Sequence, residues 1–203
     1  MAQYPRFSLG LDLGIERNFR KEQRYFTLHN TMHGDFHITK KDGVRFSFGY
    51  GSKGNFKNKL LAEAAVSSTT PQQLTYTNKA TMRLRQITIG WKHYLKGEPV
   101  LEEGWSLYGT AGFRLLMGEV TNVFSTTIDT SQYLVPVKEG KANFKRLGLD
   151  LSLGWEKHLS ADFYFFTEAR FLVPSPGYPS EYLLVNDNAP FAGIFCGGLR
   201  ILF

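Results

Sequence analysis

Phe7, Leu9, Leu11, Leu13 and Ile15 alternate with Ser8, Gly10, Asp12 and Gly14. A strand turns successive side chains to opposite faces, so this segment has one greasy face and one small or charged face. The pattern recurs along the chain and ends on Phe203. Long alternating strands repeated about eight times predict an all-β fold, an eight-stranded antiparallel up-and-down transmembrane β-barrel with its greasy face toward lipid. One such domain spans 1–203, with long extracellular loops.

Mean hydropathy is −0.25, a value that by itself describes a soluble protein. Membrane barrels escape that inference because polar alternation dilutes their signal. No run approaches the roughly 18 apolar residues of a membrane helix. The net charge is +6. A basic balance suits nucleic acid or anionic lipid headgroups. The chain has no basic-aromatic RNA motif, zinc spacing or helix-turn-helix pattern, so nucleic acid is not an expected partner. Cys196 is the only cysteine, so no intrachain disulfide forms. The N-terminus lacks the basic and apolar regions of a signal peptide. Met1-Ala2-Gln3 is read as a start Met before a mature N-terminus whose export signal has been removed.

The spacing predicts strands at 6–18, 24–39, 43–52, 82–95, 104–117, 144–157, 162–173 and 191–203. Residues 53–80 and 118–143 read as long loops, with Lys59 to Val66 either a short helix or extended strand. Lys41-Asp42-Gly43 is a tight-turn signal. Connections after the second, fourth and sixth strands are shorter than those after the third, fifth and seventh, the asymmetry expected of short periplasmic turns and long outer loops.

Alternation also fits a soluble lipocalin-like barrel with its apolar face inside. Two features favour lipid outside. Gly10, Gly14, Gly90, Gly112, Gly148, Gly154 and Gly198 all share the polar face. Glycine weakens a water-facing strand but makes room inside a narrow barrel. Phe7, Trp91, Trp105, Trp155, Phe163 and Phe203 sit on the apolar face at the end carrying the termini, as an interfacial girdle would. Phe19, Phe26, Tyr50, Phe171 and Phe191 make the opposite ring.

The lumen then holds Asp12, Glu16, Asp150, Glu156 and Glu168 with Arg45, Lys92, Arg114, Arg170 and Arg200. Arg200 is expected near Glu168, Arg170 and Asp12. Buried charges must pair, and a barrel of this size is just wide enough for side chains to fill. With Tyr94, Tyr108, Tyr164 and Phe166 also inward, the expectation is a cross-linked plug rather than a pore.

Three stretches carry a family resemblance: Leu84 to Tyr94, with Thr88 where a Pro often stands; Phe165-Phe166-Thr167-Glu168-Ala169-Arg170-Phe171; and Gly197-Gly198-Leu199-Arg200-Ile201-Leu202-Phe203. They resemble strands of small outer-membrane β-barrels of the OmpA/OmpX-like type, within them the PorT-related "outer membrane beta-barrel" or porin-family proteins. The resemblance implies a bacterial outer-membrane location. It implies that Phe203 is part of the signal read by the barrel-assembly machinery during biogenesis. Members include adhesion, membrane-integrity and secretion-accessory proteins, so the fold does not choose a role.

Other motifs have plain readings. His29, His33 and His37 with Asp35 suggest metal, but alternate strand positions four apart lie about 13 Å from each other, too far for one ion. No metal or cofactor is expected. His158-Leu159-Ser160 is similar to the His-x-Ser of outer-membrane lipid A deacylases but falls in a turn at the wrong end. Cys196 reads as inert packing. Arg17, Arg20, Lys21 and Arg24, with Lys53, Lys57 and Lys59, form a basic rim suited to lipopolysaccharide phosphates or to solvent. Tyr178, Tyr182, Leu183, Leu184 and Val185 read as a partner loop. The expected function is a non-enzymatic structural or interaction barrel, a subunit or accessory of an envelope complex, contacting other envelope proteins or lipopolysaccharide. The alternatives are a narrow passive channel, a lipid-modifying outer-membrane enzyme and a soluble ligand-binding barrel.

Overall fold

The computed structural model describes residues 6–100, 103–175, 181–183 and 191–203. The strands are β1 (Arg6–Asn18), β2 (Phe26–His37), β3 (Asp42–Gly51), β4 (Gly54–Ala64), β5 (Gln73–Lys96), β6 (Trp105–Phe124), β7 (Tyr133–Leu134), β8 (Gly140–Ser160), β9 (Phe163–Pro174) and β10 (Ala192–Leu202). Among the described residues the helical content is one short 3-10 turn, Lys21–Gln23. All strand pairings are antiparallel, in the order β3-β2-β1-β10-β9-β8-β6-β5, and a β3–β5 pairing closes the ring.

The ring is staggered as a barrel of tilted strands must be. A circuit leaving β8 at Lys145 passes Met117, Arg85, Tyr50, Asn30, Leu13, Gly197 and Thr167 and returns to β8 at Trp155. This register puts every apolar series on one surface, and that surface is the outer one. Leu11 is 63% exposed, Phe113 72% and Phe195 67%. Asp12, Arg114 and Arg200 on the same strands are buried. A continuous apolar belt around a closed ring has no partner among the described residues; its natural solvent is lipid.

β4 is the continuation of β3. Tyr50 pairs with Arg85 and Gly54 with Met82 on the same edge of β5, so the break at Ser52 and Lys53 is an irregularity in one long strand. The Ser52 hydroxyl there meets the Thr27 hydroxyl of β2. β5, β6 and β8 also run on past the ring, with Asn122 of β6 opposite Gly140 of β8. β7 adds a short pairing to the free edge of β4. The outcome is a sheet projecting from the end opposite the termini. It has its own small core of Ala62, Tyr76 and Tyr133 against Leu74 and Phe124. Between it and the lumen lies an apolar layer of Tyr25, Met82, Leu84, Leu116, Val120, Phe144 and Leu183.

Most of the loop expected at 53–80 and half of that expected at 118–143 are therefore strand. Lys59 onward is β4, not helix. The physical reason is that a strand leaving lipid loses its apolar series. Lys57, Lys59, Thr75 and Thr77 are polar, so the period-two signal fades while the hydrogen-bonded ladder continues.

Candidate functional site

Inside the ring, successive inward positions bring acids and bases from seven strands into one chain of contacts. Asp12 accepts from Arg170 Nη2 at 2.5 Å, and Arg170 Nε reaches Glu168 at 2.5 Å. The other Glu168 oxygen takes Arg45 Nη1 at 2.6 Å and the Tyr108 hydroxyl at 2.7 Å. Arg45 then clasps Asp35 through Nε at 2.6 Å and Nη2 at 2.9 Å. Lys92 Nζ sits 2.9 Å from Asp35 and 3.7 Å from Glu156. Glu156 accepts from Arg200 Nη2 at 3.0 Å and the Tyr94 hydroxyl at 2.9 Å. The order Asp12, Arg170, Glu168, Arg45, Asp35, Lys92, Glu156, Arg200 alternates in sign throughout. Lys92 and Arg200 are 0% exposed. Each of these ions alone would cost several kcal/mol to bury, and alternation is the arrangement that offsets the cost.

The remaining charged residues named for the lumen lie nearer the projecting sheet. Glu16 accepts from His29 Nδ1 at 2.9 Å, Thr88 donates to Asp150 at 3.3 Å, and Arg114 donates to Gln86 at 3.2 Å. Arg200 departs from expectation. It pairs with Glu156 and with the Pro99 carbonyl at 3.0 Å, not with Glu168, Arg170 or Asp12. Its register explains this: Arg200 stands opposite Tyr164, two inward positions nearer the termini than Cys196, which stands opposite Glu168.

Asp35 is the hub that sequence reading left out of the ion balance. Its signal was available, since it shares strand parity with His33 and His37. His37 hydrogen-bonds Ser8 at 2.9 Å, and the His33 ring packs edge-on against Phe166. Among the described residues no cluster of ligating side chains fits a metal ion. Cys196 is buried and forms no disulfide, its Sγ 3.5 Å from the Glu168 carbonyl. Two glycines show how the lumen accepts such large groups. A Cβ at Gly10 would lie 2.3 Å from the His33 ring, and one at Gly154 2.2 Å from Tyr108.

On the outside, Phe7, Trp91, Trp105, Phe163 and Phe203 are exposed and Trp155 is partly so. Phe7 stacks on Phe203 at 6.2 Å, and Lys96 sits 3.6 Å over the Trp105 ring. At the other edge of the belt Arg17 lies over Phe26 at 4.9 Å, and Phe19 meets Phe191 at 5.6 Å. The His158 Nε2 bonds the Ala161 carbonyl, 2.6 Å away in the β8–β9 turn at the termini end. Arg20, Lys21, Arg24, Lys53, Lys57 and Lys59 are exposed or partly so at the projecting end. Of the expected partner loop, Leu183 is buried in the apolar layer and Tyr182 packs against it. The Tyr182 and Lys138 carbonyls both accept from Asn122. The exposed Lys138 ammonium pairs with Glu181 at 2.6 Å, which raises its pKa. Tyr178, Leu184 and Val185 lie outside the described residues.

No family model matches the chain, and no curated protein does. Solved structures do. Ail, the attachment invasion locus protein of Yersinia pestis, in complex with the heparin analogue sucrose octasulfate, aligns with a TM-score of 0.53 at 12% identity, over 99% of this chain and 100% of that chain. Neisserial surface protein A aligns with a TM-score of 0.54 at 12% identity, over 97% of each chain. A major outer membrane protein from Thermus thermophilus aligns with a TM-score of 0.52 at 12% identity, over 99% of this chain and 100% of that one. The chain has the fold of the small outer-membrane β-barrels.

Proposed function

We propose that this chain is a non-enzymatic barrel of the bacterial outer membrane, with its termini in the periplasm. Its working surface is the projecting sheet and the loops around it, which contact envelope partners or lipopolysaccharide. The observation that carries this reading is the pairing of a filled, charge-neutral ion chain with a sheet that rises past the ring. A barrel built to conduct needs an open lumen; here buried ion pairs and an apolar layer lie one above the other. A barrel built only to seal has no use for strands that continue beyond lipid. The sulfated sugar in the Ail complex supports a role in contacting anionic glycans.

Purified from native membranes in mild detergent, the chain is expected to carry a stoichiometric partner or lipopolysaccharide, and to give no discrete conductance in planar bilayers. Reproducible single-channel steps from an uncontaminated preparation would replace this reading with that of a narrow channel.

A further inference from the structure

The apolar series of β5 and β8 ends in cations. Along the outward face of β5, Trp91, Ile89 and Ile87 are followed by Arg85 and Arg83; along β8, Leu151, Leu149 and Leu147 are followed by Lys145. Register collects them. Arg85, Met117 and Lys145 form one row, and Arg83, Glu119 and Asn143 the next. These six residues line an open hollow of ≈ 500 Å³ on the outer surface, where the belt meets the projecting sheet.

The three cations of the hollow outnumber its one carboxylate, which also attracts Arg83 and Arg85. Its carboxylate, Glu119, is already held by Lys141 at 2.9 Å. Among the described residues Arg83, Arg85 and Lys145 make no ion pair. Both guanidinium groups lie near the Tyr50 ring, at 5.9 and 5.8 Å. Arg83 Nε is shielded from solvent and has no acceptor.

We propose that this hollow binds the sugar-linked phosphates of an outer-leaflet glycolipid. Arg83 and Arg85 hold one phosphate and Lys145 a second, and Ile87, Leu115 and Leu147 below them contact the acyl chains. This rests on the outer-membrane reading and assigns it a site. Three features select the ligand. The site straddles charge and hydrocarbon, so its ligand is an amphiphile rather than a free anion. Guanidinium forks suit phosphate oxygens. The cations flank β6 from both neighbouring strands, about 10 Å apart, wider than one phosphodiester headgroup. The Asn143 amide and Glu119 carboxylate between them are partners for sugar hydroxyls.

The test uses the full chain folded in detergent micelles and titrated with diphosphoryl lipid A, followed by native mass spectrometry. Arg83→Gln, Arg85→Gln and Lys145→Gln together are expected to weaken binding on the order of a hundredfold, at roughly fivefold for each cation removed at a membrane surface. Lys40→Gln with Lys157→Gln, at the termini end, is expected to leave it unchanged. Dephosphorylated lipid A is expected to bind the parent as weakly as diphosphoryl lipid A binds the triple variant. Equal binding by the triple variant overturns the proposal, as does equally tight binding of phosphatidylglycerol or inorganic pyrophosphate. Compact gel mobility before boiling monitors the barrel in every sample. A compact parent that binds no lipid A sinks this site alone, whereas a parent without the compact band sinks the membrane reading.

Discussion

Asp35, fully buried, holds Arg45 through two hydrogen bonds and Lys92 through a third. Removing its charge leaves two cations competing for Glu168 and Glu156. Asp35→Asn is therefore expected to cost about 3–5 kcal/mol, the range for breaking one partner out of a buried ionic set, read by reversible urea titration in micelles. Gly154 makes a second residue-scale case. Its hypothetical Cβ falls 2.2 Å from Tyr108, which is fixed by Glu168, whereas a Cβ at Gly109 finds its nearest neighbour at 3.6 Å. Gly154→Ala is expected to lose about 1–3 kcal/mol and Gly109→Ala far less, in the same titration. Equal losses would mean that the lumen yields around Tyr108. At this scale the sequence was readable for position but not for pairing. Parity told which side chains point inward, and Asp35 shares that parity with His33. Which acid meets which base depends on stagger around the whole ring, and Arg200 illustrates it by reaching Glu156 rather than Glu168.

Single strands show where the periodic signal is strong and where it fails. β1 was legible from end to end because its alternate residues meet two different solvents, lipid and lumen. β4 and the first part of β5 were not, because their outward positions, among them Lys57, Lys59, Thr75 and Thr77, meet polar surroundings instead of lipid. The apolar series of a strand thus reports the extent of lipid, and the ladder outlasts it. β6 offers a test within one strand. Phe113 and Thr121 share its outward face, one in the belt and one in the projecting sheet. Phe113→Arg is expected to destabilise folding into vesicles by about 2–4 kcal/mol, and Thr121→Arg to leave it within about 0.5 kcal/mol of the parent. The measurement is folding equilibrium in lipid vesicles across a urea series. Comparable penalties at both sites would place the edge of the hydrocarbon beyond residue 121.

For the molecule as a whole, the closed ring removes all open edges within the belt, and among the described residues the projecting sheet retains one at the start of β8 and another, partly covered by β7, at β4. Lys57 and Lys59 on that strand are the kind of charge that discourages strand addition by a second chain. The division of labour follows from solvent: lipid outside, ion pairs and aromatic hydroxyls inside, and a mainly polar sheet where neither constraint applies. The claim on which all of this depends is the direction of the two faces. Spin labels placed singly at 110 to 116 of β6, with Cys196→Ser, measure it most directly in lipid vesicles. The account predicts oxygen accessibility peaking at 111, 113 and 115 and falling at 110, 112, 114 and 116. Peaks at the even positions instead, or water-soluble relaxant reaching 111, 113 and 115, would contradict it.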